Sequence, residues 1–71
     1  MTRKQGQPLT KRELDMLDLF GFGYGRKEIA KTAHLSMHTV ADHLNHARVK
    51  LGAKSTAHAL RLAIRQRLID P

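Results

Sequence analysis

The stretch of sequence that decides the fold runs from residue 26 to residue 52 and reads RKEIAKTAHLSMHTVADHLNHARVKLG. In it, a short segment with apolar residues at helical spacing is followed by a tight connection. A longer helical segment, over about residues 37–51, then begins after Ser36, a residue well suited to cap a helix. This layout predicts a helix-turn-helix, in which the second helix enters the DNA major groove while the first crosses the backbone.

The residues before this stretch predict one more helix, over about Lys11 to Phe20. Thr10 and Glu13 have the spacing of a capping box, in which each side chain accepts a hydrogen bond from the other residue's backbone N–H. Three alternating glycines then interrupt the apolar pattern, at positions 21, 23 and 25. Because glycine is costly inside a helix, we expect a turn there and a second helix over Arg26 to about Ala33.

The longer helix has an apolar stripe that predicts its buried face. Its members are spaced by four, three and four residues: Val40, Leu44, Ala47 and Leu51. Gly52 is placed to end this helix, and Ser55 can cap a fourth one, which we expect to run to Leu68 or Ile69. Since no stretch alternates with period two, the predicted fold is all-α, a four-helix helix-turn-helix domain over residues 9–71.

Composition favours a nucleic-acid partner. Thirteen Lys and Arg oppose six Asp and Glu, a formal net charge of +7, and the isoelectric point is about 10.6. The chain has no cysteine, and its apolar runs are far shorter than the ~20 residues that cross a bilayer. Residues 1–8 are polar, with no apolar signal-peptide core, so we expect a flexible basic arm there, a cytoplasmic location and no membrane partner.

Several short segments occur in an order that is typical of one family of regulators. They are LTKRE at 9–13, KEIA at 27–30, TV at 39–40, KLG at 50–52 and KSTAHA at 54–59. The region from 9 to 69 thereby resembles the DNA-binding domain of LuxR/GerE-type transcription regulators, and residues 54–59 favour its quorum-sensing branch. The resemblance implies that the third helix reads DNA and that the fourth pairs with a second copy to form a homodimer.

The resemblance also implies which residues meet the bases, namely Ala41, Asp42 and Asn45. Chemically, Asn45 can pair with adenine, Asp42 can accept a hydrogen bond from cytosine N4, and Ala41 can touch a thymine methyl group. Ala41 stands where relatives commonly carry lysine or arginine, and Asp42 brings negative charge close to the groove.

Two further sets of residues complete the predicted site. Phosphate contacts, about four to six per subunit, are expected from basic and polar side chains around the third helix: Lys27, His38, Thr39, Arg48, Lys50 and Lys54. The predicted dimer interface lies on the fourth helix: Ala59, Leu60, Ala63, Ile64 and Arg67.

The interpretation is a stand-alone, sequence-specific DNA-binding transcriptional regulator that recruits or blocks RNA polymerase. The alternative is a protein-interaction module that pairs with a full-length LuxR-type regulator as antagonist or co-activator and binds DNA weakly, which Ala41 and Asp42 favour. We expect no enzyme, because capping accounts for Ser36 and Ser55 and no nucleophile-and-base spacing occurs. We also expect no cofactor and no metal, since the histidines between residues 34 and 46 do not converge on one helix face.

Overall fold

Four helices joined by short turns make up residues 8–70, the part of the chain that the computed structural model describes. They are α1 (Lys11–Gly21), α2 (Arg26–Ala33), α3 (Met37–Leu51) and α4 (Thr56–Arg65), and no strand occurs within residues 8–70. The predicted all-α, four-helix fold is therefore confirmed. The arm predicted over residues 1–8 falls, except for Pro8, outside the described residues.

The predicted side-chain caps start three of the helices. Thr10 Oγ1 accepts the Glu13 N–H at 3.1 Å while Glu13 Oε1 accepts the Thr10 N–H at 2.9 Å, which completes the capping box of α1. Ser36 Oγ accepts the Thr39 N–H at 3.0 Å and thereby begins α3, and Ser55 caps α4 in the same way. These hydroxyls satisfy backbone donors that a helix otherwise leaves without a partner.

The helix ends are partly as predicted. Gly52 ends α3 with a φ of 68°, a left-handed conformation that glycine adopts without a Cβ clash. The prediction that α4 reaches Leu68 or Ile69 is wrong, because α4 ends at Arg65. Arg67 has a φ of 59°, and the reversed chain folds Ile69 back until it is only 9% exposed. Burial of Ile69 against the helices thus replaces a further turn of α4.

The core lies where α3 meets the other helices. Helix α3 packs against α1, α2 and α4. Its Val40, Leu44 and Ala47 are buried, as the predicted stripe requires, whereas Leu51 is only half-buried. Because three helices hold the inner face of α3, its outer face is presented to solvent from a fixed support.

Candidate nucleic-acid interface

The outer face of α3 carries the three residues that were predicted to meet DNA bases. Asp42 and Asn45 are exposed, and Ala41 is half-buried. The residues just before Ala41 and Asn45, Val40 and Leu44, are buried in the core. Asn45 lies three positions after Asp42 and four after Ala41, and residues at these spacings are neighbours on one side of a helix. The structure therefore brings the predicted base readers together on an accessible surface.

The charge of Asp42 is paired with a histidine one turn earlier. His38 Nε2 lies 3.5 Å from Asp42 Oδ2, and the two side chains are 87% and 55% exposed. In water such a pair is weak, so both side chains remain able to meet DNA instead of each other.

The two ends of α3 and the first turn of α2 hold three predicted phosphate contacts. Thr39 is half-buried, and its hydroxyl lies 2.9 Å from Ser36 Oγ. Lys27, in the first turn of α2, and Lys54, directly after α3, are both exposed. Helix N-termini and exposed lysines are common partners of phosphate groups, so each of these positions suits a contact with the DNA backbone.

Arg48 links the outer face of α3 to the turn that follows the helix. Its Nε and Nη2 donate to Asn45 Oδ1 at 3.2 and 2.9 Å, and its Nη1 donates to the Ala53 carbonyl at 3.1 Å. From the sequence alone, Asn45 is expected to meet a base and Arg48 a phosphate, as separate contacts. Their spacing of three residues is one that pairs side chains on a helix, so the signal for this bond was present in the sequence.

Lys50 is not where the sequence analysis expected it. Its Nζ lies 2.7 Å from Glu13 Oε1, and the two side chains are 3% and 2% exposed. His46 Nδ1 lies 4.0 Å from the other oxygen of Glu13. The ammonium of Lys50 is therefore not exposed to a phosphate in this structure, because α1 covers the side of α3 from which Lys50 projects. A partner 37 positions away in sequence leaves no local signal.

The fourth helix also departs from the predicted interface. Ala59 and Ala63 are both 0% exposed, so they lie inside the domain and cannot meet a second copy. Leu60 and Ile64 are half-buried, and Arg67 is exposed. Small residues allow close helix approach in either setting, and here they serve the packing of α4 against its own domain.

The exposed acidic residues lie mainly away from α3. Asp15, Asp18 and Asp70 line a cleft beside Phe22 and Leu68, and no residue of α2 or α3 lines it. Glu13, which is close to Asp15 and Asp18 in sequence, is buried and does not line this cleft. The carboxylates of this cleft are therefore not part of the surface that carries the predicted DNA contacts.

Within residues 8–70, no three His, Asp or Glu side chains are grouped closely enough to hold a metal ion. In the same range, no helix has both the length and the apolar character needed to span a bilayer.

Known proteins resemble this chain over most of its length. Residues 7–63 match a family model described as bacterial regulatory proteins, luxR family. The chain is 42% identical over 62 residues to the oxygen regulatory protein NreC of Staphylococcus aureus strain JH9, which covers 87% of this chain and 29% of the relative. The protein of the same name from strain JH1 matches equally well.

A solved structure shows the same likeness in three dimensions. It is described as the response regulator ChrA in a heme-sensing two-component system, and it matches with a TM-score of 0.84 and 35% identity. The match covers 93% of this chain and 33% of that one. The chain thus spans about a third or less of the proteins it resembles.

Proposed function

Because the chain belongs to the luxR family of bacterial regulatory proteins and carries the domain of a DNA-binding transcriptional regulator, we propose that α3 reads bases in the major groove of double-stranded DNA. One observation carries the proposal. Ala41, Asp42 and Asn45 lie on the accessible face of α3, whose opposite face is packed into the core. A helix held in this way can enter a groove without rearrangement of the domain.

The surroundings of α3 supply contacts that do not depend on sequence. Lys27 and Lys54 neutralise phosphates on either side of the groove, and His38, Thr39 and Arg48 add hydrogen bonds to the backbone. Lys50 has no part in this set, since its ammonium is paired inside the domain. The protein acts by binding rather than by catalysis, in the cytoplasm, where it recruits or blocks RNA polymerase at the bound site.

A DNA titration at several salt concentrations tests this function. Fluorescence anisotropy with the DNA that flanks the chain's own gene gives the specific affinity, and random DNA of equal length gives the non-specific one. Lys54→Met should weaken binding to both DNAs and reduce the slope of log K against log salt by about 0.9. Asn45→Ala should lower the preference for specific DNA and leave the slope unchanged. Equal affinity of the parent protein for both DNAs would contradict sequence-specific binding.

We further propose that two copies pair through the outer side of α4, where Leu60 and Ile64 are half-buried, together with the exposed Arg67 just beyond the end of the helix. A symmetric pair would place two recognition helices on half-sites about one helical turn apart. Sedimentation velocity tests this: Ile64→Glu should shift dimer to monomer, whereas Tyr24→Glu, the same added charge in the turn between α1 and α2, should not. Circular dichroism would check that both variants are folded, and a parent protein that stays monomeric at high concentration would refute the pairing.

The relatives also bear on how such a regulator is controlled. They are described as an oxygen regulatory protein and a response regulator, which supports control through a sensor protein. The quorum-sensing branch, favoured by residues 54–59, stays a prediction. A reporter gene driven by the bound site separates the two: loss of a sensor kinase should change its expression under sensor control, whereas spent culture medium should change it under quorum control.

A further inference from the structure

Arg48 determines which hydrogen bonds Asn45 can offer to a base. The carbonyl oxygen of an asparagine has the capacity to accept two hydrogen bonds, and here it accepts two from Arg48, from Nε at 3.2 Å and from Nη2 at 2.9 Å. The same guanidinium is held from its other end, because Nη1 donates to the carbonyl of Ala53, which is only 6% exposed. The amide of Asn45 is therefore oriented with its oxygen towards Arg48 and its NH₂ group available.

This orientation conflicts with the usual pairing of asparagine and adenine. That pairing needs the amide oxygen to accept from adenine N6 while the amide nitrogen donates to N7. With Oδ1 occupied, Asn45 has donors but no free acceptor, and the amino group of adenine would face another donor. Guanine presents two acceptors, O6 and N7, at the same edge of the groove.

We propose that Arg48 converts Asn45 into a donor-only reader, so that α3 selects guanine rather than adenine at the base pair that Asn45 meets. The inference rests on the proposed DNA-binding function and specifies the base that this part of the surface recognises. Arg48 is a positioning residue in this arrangement. It acts through Asn45, and it keeps two of its five N–H groups for a phosphate.

The test is selection of binding sites from a randomised duplex library by the full 71-residue chain, followed by affinity measurements on single-base variants of the selected site. Asn45→Ala identifies the base position concerned, because the preference there should become flat. The parent protein should prefer guanine at that position. Arg48→Met frees Oδ1 and should move the ratio of guanine to adenine affinity towards adenine by about tenfold, the scale of one well-formed base contact.

Matched variants separate this effect from a loss of charge. Lys54→Met removes an exposed positive charge that does not touch Asn45, so it should weaken all sites alike and leave the base ratio unchanged. Arg48→Lys keeps the charge but has a single donor group to offer, so it should give an intermediate ratio. Because the readout is a ratio between two DNAs, partial unfolding of a variant cancels out of it.

The remaining outcomes would contradict either this inference or the proposed DNA-binding function. The inference would be overturned if the parent protein prefers adenine at the position that depends on Asn45. It would also be overturned if the guanine preference persists in both Arg48 variants. Specific binding with no base preference that depends on Asn45 would also overturn it while leaving the proposed function intact. No binding to any duplex at low salt would refute the proposed function itself.

Discussion

The buried ion pair between Glu13 and Lys50 yields the sharpest prediction about stability. Glu13→Gln keeps the size of the side chain and a carbonyl oxygen that can accept the Thr10 N–H, but it removes the negative charge 2.7 Å from Lys50 Nζ. The ammonium is then left inside the domain without a counter-charge. We expect a large loss of stability from a substitution that changes almost no volume.

The magnitude follows from the burial of the pair. The two side chains are 3% and 2% exposed, so water screens them little. Breaking such a pair by removing one partner costs about 3–5 kcal/mol. A domain of this size has about 4–10 kcal/mol of stability in total, from ~0.05–0.15 kcal/mol per residue. At ~4–8 °C for each kcal/mol, the melting temperature should fall by at least about 12 °C.

Helix α2 provides a matched control. Glu28 occupies the same third position of its helix, and its Oε1 accepts the Gly25 N–H at 3.2 Å in an exposed setting. Glu28→Gln therefore makes the same chemical change to the same kind of cap without burying a charge. It should alter the free energy of unfolding by no more than about 0.5 kcal/mol.

Urea unfolding followed by circular dichroism measures both variants. Lys50→Met in the Glu13→Gln background removes the second charge, and it should recover part of the lost stability because no buried ion remains. The difference between Glu13→Gln and Glu28→Gln should also persist in high salt. Equal losses for the two glutamine variants, or a difference that salt abolishes, would show that Glu13 and Lys50 are not a buried pair.

Three smaller effects are expected at helix ends and in the core. Ser36→Ala should cost about 1 kcal/mol through the lost cap of α3 and Ser36→Gly only a few tenths, both measured by thermal unfolding. Gly52→Ala should also cost about 1 kcal/mol in the same assay, because its φ of 68° disfavours a Cβ, and Gly52→Asn should cost less. Ala63→Leu should destabilise the domain by about 1–3 kcal/mol by overfilling the core, while Ala57→Leu, at an exposed position of the same helix, should be nearly neutral in urea unfolding.

Local chemistry explains which parts of the fold could be predicted from the sequence. Ser36 and Gly52 mark the ends of α3 because their effects act within one helical turn, and the structure has both in the predicted roles. The end of α4 was missed because the apolar spacing continues to Ile69 and no glycine or proline marks the reversal at Arg67. That reversal depends on contacts between Ile69 and distant parts of the chain, which a helical pattern does not encode.

The candidate site also has some features that the sequence predicts and others that depend on packing between distant segments. The exposed face with Ala41, Asp42 and Asn45 follows from helical geometry once the opposite face is known to be buried. The positions of Lys50 and of the alanines of α4 depend on what packs against them. A lysine is seldom fully buried unless it is paired, so its exposure is the natural expectation until the partner carboxylate is found.

The burial of Lys50 changes the expected electrostatics of DNA binding. Of the six side chains that the sequence assigned to phosphates, only Lys27, Arg48 and Lys54 keep a permanent positive charge near the surface of α3. Three neutralised phosphates correspond to a salt slope of about −2.7 per subunit, compared with about −3.6 to −5.4 for the four to six contacts expected from sequence. The DNA affinity of such a subunit falls little as the salt concentration rises, because phosphate neutralisation contributes little to that affinity. The proposed pairing through α4 would double the number of contacts, so we expect DNA affinity to rely on a second copy more than the net charge of +7 suggests.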